Sequence, residues 1–479
     1  MGAIYEKLST YSQSDYYGFH MPGHKRHLVE EMPDLPYHLD ITEIEGFDDL
    51  HHAQDLLLEA QERAADLYGA EETHYLINGS TAGILSAIAG VTRKGDTILV
   101  ARNCHKSVYH AIYMNELNPV YLYPGFDSDL QLNTTISAEE VRRALEEHPA
   151  ICAVVIVSPT YDGVVSDVEA VAEAAHERGI PLIVDEAHGA HFGFHPYFPE
   201  NANAKGADIV IHSLHKTLPA PTQTALIHLN GSLVDRTRVK NYLHMLQTSS
   251  PSYLLMAGID GCVALLREKG EDLFDSYAER LKTLRRELEQ CRCIRLVRTR
   301  QFDPSKLVLS VWGTGMSGRE LYFNLLKRYH LQLEMAAGTY ALAMTSVFDS
   351  EEGYSRLVRA VKEMDEELFE TCTQDQCAQD WRTTLESVRK MEVPKPEVVL
   401  RSWELTDIPI ERRKCQSWKD SVGAVALEYA YLYPPGIPVL VPGERISQDA
   451  ADVLQWYQDL GFSLEGPKEE GQIEVFIDG

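Results

Sequence analysis

The stretch AVVIVSPTYDGVVSDVEAVAEAAHERGIPLIVDEA, residues 153–187, decides the fold. Its two ends, AVVIVS (153–158) and PLIVDEA (181–187), are short β-rich runs. Between them VEAVAEAAHERG (168–179) carries a helical pattern and closes on Gly179. Strand, helix and strand in that order predict a parallel sheet flanked by helices. The same alternation extends in both directions. THYLIN (73–78), TILVAR (97–102) and PVYLYP (119–124) come before it, and ADIVIHSL (207–214) and TALIHLN (224–230) after it. A further helix is predicted at SAEEVRRALEEH (137–148), where Ser137 and Glu140 form a capping box. The expected fold class is α/β, with a large domain built on a mostly parallel sheet.

Farther along, two amphipathic helices are expected at about 251–268 and 272–290. A second, shorter series follows: KLVLSVW, a helix through RELYFNLLKRY, QLEMAA, YALAMTSV and a helix through 351–370. That series predicts a smaller α/β domain. The polar segment from TQDQCAQDW to KMEVPKPE, with Pro394 and Pro396, reads as a connection to a third unit starting near Val398. The expected domains are therefore 1–270, an N-terminal arm and large domain; 271–375, a small α/β domain; and 390–479, a C-terminal α+β domain.

Composition narrows the function. With 479 residues, 44% hydrophobic and 24% charged, the chain is a globular protein of two or three domains. Its net charge of −28 repels phosphodiester backbones and anionic lipid, so neither nucleic acid nor a membrane surface is an expected partner. The N-terminal MGAIYEKLST has no secretory pattern, and the late apolar stretch is broken by Glu428 and prolines. Eight scattered cysteines without a zinc-type pairing read as reduced thiols, and the expected location is the cytoplasm.

Chemistry in open α/β sheets collects at the carboxyl ends of strands. After THYLIN come Asn78-Gly79-Ser80-Thr81, small hydroxyl residues opening a helix, which suits an anion such as phosphate. After TILVAR comes His105. After PLIV come Asp185, His188 and His191, a carboxylate on an apolar strand that needs a cationic or hydrogen-bonding partner. That partner is either a metal held by Asp185, His188 and His191, as in a metal-dependent hydrolase, or a protonated heterocyclic nitrogen. After ADIVIH come Ser213, His215 and Lys216, with a lysine where a strand end seldom holds one. A phosphate cradle, a strand-end Asp, a stacking His and a strand-end Lys together match the requirements of pyridoxal 5′-phosphate.

FHMPGHK (19–25), RNCHKS (102–107), PTYDG (159–163), DEAHGAH (185–191), SLHKTL (213–218), QTSSPSYLLMAGID (247–260) and YLYPPGIPVLVPGE (431–444) are similar to the ornithine/lysine/arginine decarboxylases of bacteria. The resemblance runs along essentially the whole chain, in the short form without an extra N-terminal domain. It implies an aspartate-aminotransferase-like fold (fold-type I) and decarboxylation of a basic L-amino acid, arginine or lysine ahead of ornithine, feeding polyamine metabolism. It implies Lys216 as the imine-forming lysine, Asp185 at the pyridine nitrogen, and His105 stacked on the ring with His188 nearby. Ser80, Thr81, Ser213 and His215 would hold the phosphate. The family assembles its sites in a homodimer, and Thr248-Ser249-Ser250 matches a segment that reaches the neighbour's phosphate. Glu444 matches a glutamate near the entrance and is the expected partner of the substrate's distal cation, beside a supply of carboxylates at Glu43, Glu45, Asp48 and Asp49. Two departures stand out: Ala82 in the cradle, and DEAH where the long forms have DSAW. An aminotransferase or carbon-carbon lyase shares the fold, but QLEMAAG and YALAMTSV offer no Arg for a substrate α-carboxylate.

Overall fold

The quoted stretch folds as read, into a strand, a helix and a strand. The structure is a computed structural model that describes residues 2–16, 19–26, 33–372, 392–432 and 436–476. Seven strands follow in chain order: β1 (Glu72–Leu76), β2 (Thr97–Ala101), β3 (Asn118–Leu122), β4 (Ile151–Val157), β5 (Leu182–Asp185), β6 (Ile209–Ser213) and β7 (Ala225–Leu229). The helix Val168–His176 joins β4 to β5, which pair in parallel, as a crossover connection requires. Each strand lies in a short run that contains β-branched, aromatic or aliphatic residues.

The chain divides into two compact units, residues 1–92, 152–158 and 168–276 in one, and 93–151, 159–167 and 277–479 in the other. This division cuts across the expected three parts, since residues 93–151 group with the C-terminal half. In the first unit the strand order is β1-β7-β6-β5-β4. There β4, β5 and β6 run parallel, while β7 and β1 pair antiparallel at one side. Helix Gly79–Val91 lies on the face that bears Ile211. A Cβ at Gly83 would come 2.6 Å from the tip of the Leu76 side chain and 3.4 Å from Ile211, so the helix rests close against the sheet at this position.

The second unit holds the parallel pair β2-β3 and an antiparallel sheet of Arg295–Val297, Lys306–Ser310, Tyr340–Met344 and Met335–Ala336. The expected small α/β domain is thus α+β in its pairing. Two three-stranded sheets and helix Gln448–Asp459 form the C-terminal part around Trp418, Leu454 and Val475. The helices expected at 251–268 and 272–290 are one 36-residue helix, Tyr253–Leu288. Gly270 does not break it: one interior glycine costs about 1 kcal/mol against alanine, and buried side chains from Tyr253 to Leu288 outweigh that. The connection at 373–391 lies outside the described residues. Among the described residues no helix is long and apolar enough to cross a membrane.

Candidate active site

Strand β5 ends in Asp185, and the loop after it bears His188. Strand β6 ends in Ser213 and runs into one helical turn, Leu214–Thr217, that bears His215 and Lys216. Because β5 and β6 are parallel neighbours with Asp185 level with Ile211, both segments emerge at the same carboxyl end of the sheet. Lys216 Nζ lies 3.0 Å from His188 Nε2. An ammonium can only donate, so His188 Nε2 accepts from it. Asp185 is 4% exposed, and its Oδ1 accepts from Ala187 N at 3.2 Å. Burial pushes its carboxyl up, and the positive charge of Lys216 pulls it back toward the ionised form.

The residues expected at a phosphate divide into two groups. At the Lys216 turn, His215 Nδ1–H donates to the Thr224 carbonyl at 3.0 Å, and burial pushes its imidazole pKa down. Ser213 Oγ and Thr217 Oγ1 are buried with no hydrogen-bond partner among the described residues. A buried hydroxyl left unmet costs about 1–3 kcal/mol, so a bound anion at Ser213 would satisfy a need the fold itself does not. At the other group, Ser80 and Thr81 open helix Gly79–Val91, whose N-cap Asn78 makes no side-chain cap. The first-turn N–H groups there suit an anion. The residues present therefore fit a phosphate-bearing cofactor.

Sequence reading missed what fixes this helix start. Gln247 Oε1 accepts from Ile77 N at 2.9 Å and Gln247 Nε2 donates to Tyr75 O at 3.3 Å, while Gln223 Nε2 donates to Ile77 O at 2.5 Å. No local motif marks a glutamine that clamps a strand end 170 residues away. Thr248 N donates to Asn78 Oδ1 at 3.4 Å, so the exposed Thr248 and Ser249 follow directly on this clamp.

His105 belongs to the second unit, as the N-cap of helix Lys106–Met114. Its Nδ1 accepts from Ser107 N at 3.2 Å, which leaves the ring proton on Nε2. In the same unit, Glu444 does not take the expected role. It is 1% exposed and lies 3.0 Å from Arg102, itself 0% exposed, and accepts from Val441 N at 2.8 Å. Arg102 also donates to Pro438 O at 2.7 Å and Tyr109 Oη at 3.0 Å. A guanidinium without solvent demands a carboxylate, and Glu444 is committed to it rather than open to a substrate. Glu444→Ala is expected to lower stability by about 3–5 kcal/mol, because it leaves a buried cation unpaired. Urea unfolding checks this, and an unchanged midpoint would refute the assignment.

Asp48 is likewise committed, accepting N–H bonds from Asp49, Gln54, Asp55 and Leu57 at 2.9–3.2 Å. Asp49 caps the turn Leu50–His52. The metal reading with Asp185, His188 and His191 as ligands is corrected as well. Among the described residues no three His, Cys, Asp or Glu side chains are grouped to hold a metal ion. His191 instead packs edge-on against Phe192 and Phe198, at 4.8 and 5.3 Å between ring centres.

A family model described as Orn/Lys/Arg decarboxylase, major domain, matches residues 3–327, and one described as the Orn/Lys/Arg decarboxylase C-terminal domain matches residues 412–464. The chain belongs to the Orn/Lys/Arg decarboxylase family. This family member is 34% identical to "Uncharacterized protein YaaO" of Bacillus subtilis (strain 168), over 99% of the chain and 98% of that relative. It is 30% identical to the arginine decarboxylase of the same organism, over 97% of the chain and 95% of that enzyme. The crystal structure of the Francisella novicida lysine decarboxylase LdcF superposes with a TM-score of 0.82 at 19% identity, covering 99% of this chain and 81% of that one. At that identity the superposition shows the fold alone, and the fold is the α/β architecture read from the strand order.

Proposed function

We propose that this Orn/Lys/Arg decarboxylase family member is a pyridoxal-phosphate-dependent decarboxylase of a basic L-amino acid, with arginine or lysine ahead of ornithine. One observation carries the reading: Lys216 Nζ stands 3.0 Å from His188, beside buried Asp185 and a buried, unmet Ser213 hydroxyl. When bound, the cofactor supplies an electron sink for the pair of electrons left at the α-carbon as CO2 departs.

The chain's own groups do the rest. Lys216 is the amine that would hold the cofactor. Asp185, buried at the end of β5, would as its anion hold a proton at the ring nitrogen. His188 accepts a hydrogen bond from Lys216 and is placed to receive or return its proton. Ser80, Thr81 and Ser213 would hold the phosphate, with His215 adding a donor at Nε2 when protonated; His105 would stack on the ring, and Thr248 and Ser249 would complete the partner's site in a homodimer. With Glu444, Asp48 and Asp49 committed, Glu43 keeps one buried oxygen with no partner among the described residues and is open to the substrate's distal cation. The reaction belongs to the polyamine metabolism of the cytoplasm.

Purified protein with added pyridoxal phosphate tests the substrate class. Amine release is expected from arginine or lysine, with less from ornithine. A charge-assisted contact to the distal cation gives roughly ten- to hundredfold preference over neutral side chains. Equal release from neutral or acidic amino acids would refute the basic-substrate reading.

A further inference from the structure

Behind the site, on the other side of the sheet, lies a chain of polar groups that no step above uses. Successive strand residues face opposite sides, so Asp185, Ile211 and Ser213 share one face while Glu186, His212, His228 and Thr73 share the other. Those four are 0–3% exposed. Glu186 Oε2 lies 2.7 Å from His212 Nε2, His212 Nδ1 lies 3.0 Å from His228 Nε2, and His228 Nδ1 lies 2.7 Å from Thr73 Oγ1. Ala202 N also donates to Glu186 Oε2, at 2.9 Å. The Tyr68 ring covers both imidazoles, at 4.8 and 5.0 Å between centres, and its hydroxyl is tied to Ala190 O.

With the acid's proton on the oxygen that faces His212, two proton arrangements use every contact with neutral imidazoles. With Glu186 as carboxylate, His212 donates from Nε2, His228 donates from Nε2 to His212, and Thr73 donates to His228. With Glu186 as acid, all three bonds reverse: Glu186 donates to His212 Nε2, His212 Nδ1–H to His228, and His228 Nδ1–H to Thr73. The two states differ by one proton. The groups facing Glu186 from the surrounding elements are Asp185, His191, Lys205, His212 and Tyr68, with Cys262 beyond Tyr68. The groups facing His228 are His212 and His74. Of these only Lys205 carries a fixed positive charge, and no described contact brings it to Glu186, so burial of an anion is poorly compensated and the acid form is favoured. Burial accordingly pushes Glu186 up to about 8 and His212 down to about 3.

Glu186 directly follows Asp185, and His212 directly precedes Ser213, so their bond ties the strand end holding Asp185 to the strand end holding the Lys216 turn. We propose that Glu186 is a positioning residue: as a neutral acid it heads a one-proton chain through His212 and His228 to Thr73, and this chain fixes Asp185 relative to Lys216. The link to the cofactor rests on the function proposed above. The direction of the chain does not, so the two are tested apart.

The first test uses protein without cofactor. Nitrogen NMR of the imidazoles is expected to find His212 protonated on Nδ1 at about pH 6 and on Nε2 well above about pH 8, where Glu186 ionises. In Glu186→Gln the amide oxygen takes the position that accepts from Ala202 N and accepts from His212 Nε2–H as well, so every contact is kept and His212 holds Nε2–H across that range, at about pH 6 as at about pH 8. Wild-type protein with Nε2–H at about pH 6 would overturn the acid form, whatever the cofactor does. Stability supplies the matching sign. A carboxyl raised from 4.5 to about 8 on folding binds more protons in the native state between those values. Its contribution is therefore present below 4.5 and lost as pH rises to about 8, and Glu186→Gln removes that one-proton slope.

The second test is cofactor affinity, measured by pyridoxal phosphate titration of the unliganded forms. Glu186→Gln is expected to stay within about twofold of wild type, whereas Glu186→Ala loses about tenfold or more, the scale of one buried hydrogen bond left unmet. A folded Glu186→Ala protein with wild-type affinity, or a Glu186→Gln protein as weak as Glu186→Ala, would overturn the positioning role. Should Glu186→Ala not fold, the Glu186→Gln affinity and the wild-type tautomer still decide.

Discussion

Lys216→Ala is expected to lose covalent fixation of pyridoxal phosphate by borohydride, and with it decarboxylation, by a factor on the order of 10⁴ or more. The lysine is specified by position. It sits on the one helical turn that β6 runs into, half-buried, with its ammonium 3.0 Å from His188. Lys306, the most deeply buried alternative, is tied to Asp303 at 3.0 Å and Ser305 at 3.4 Å and is not available. The substitution removes no core packing, so the variant should fold. Peptide mapping that found the cofactor still fixed, on another lysine, would end the assignment of Lys216.

Asp185→Asn should fold, retain the cofactor more weakly and lose about 10²–10³ in turnover, the scale for removing one preorganised electrostatic partner. The amide still accepts from Ala187 N, so the loop after β5 keeps its shape. What it cannot do is hold a proton at a ring nitrogen, because it carries no charge. At 4% exposure no water compensates for that missing charge. Turnover near wild type with Asn at this position would remove Asp185 from its role.

The parts of the site that could be read from the sequence are those whose position follows from local pattern. Asp185, His188, Ser213 and Lys216 each sit within a few residues of an apolar strand end, and a strand end in a parallel sheet is where chemistry collects. Parts that depend on distant partners stayed hidden. Glu444 reads as available to a substrate because nothing near it in sequence shows that Arg102, 342 residues away, occupies it. Gln247 and Glu186 carry no local signal for the same reason, since each acts through bonds to strands far along the chain. The merged helix Tyr253–Leu288 has a different cause. Gly270 is a weak local stop signal, and tertiary packing on both sides overrides it.

The most direct test of the central claim is the stoichiometry of products from carboxyl-labelled arginine, lysine and ornithine, with pyridoxal phosphate and a 2-keto acid both present. The account predicts one labelled CO2 for each amine formed from at least one of these substrates, with no amino group transferred to the keto acid. Label retained in a 2-keto product, with the amino group moved to the acceptor, would show an aminotransferase on this fold and contradict the account.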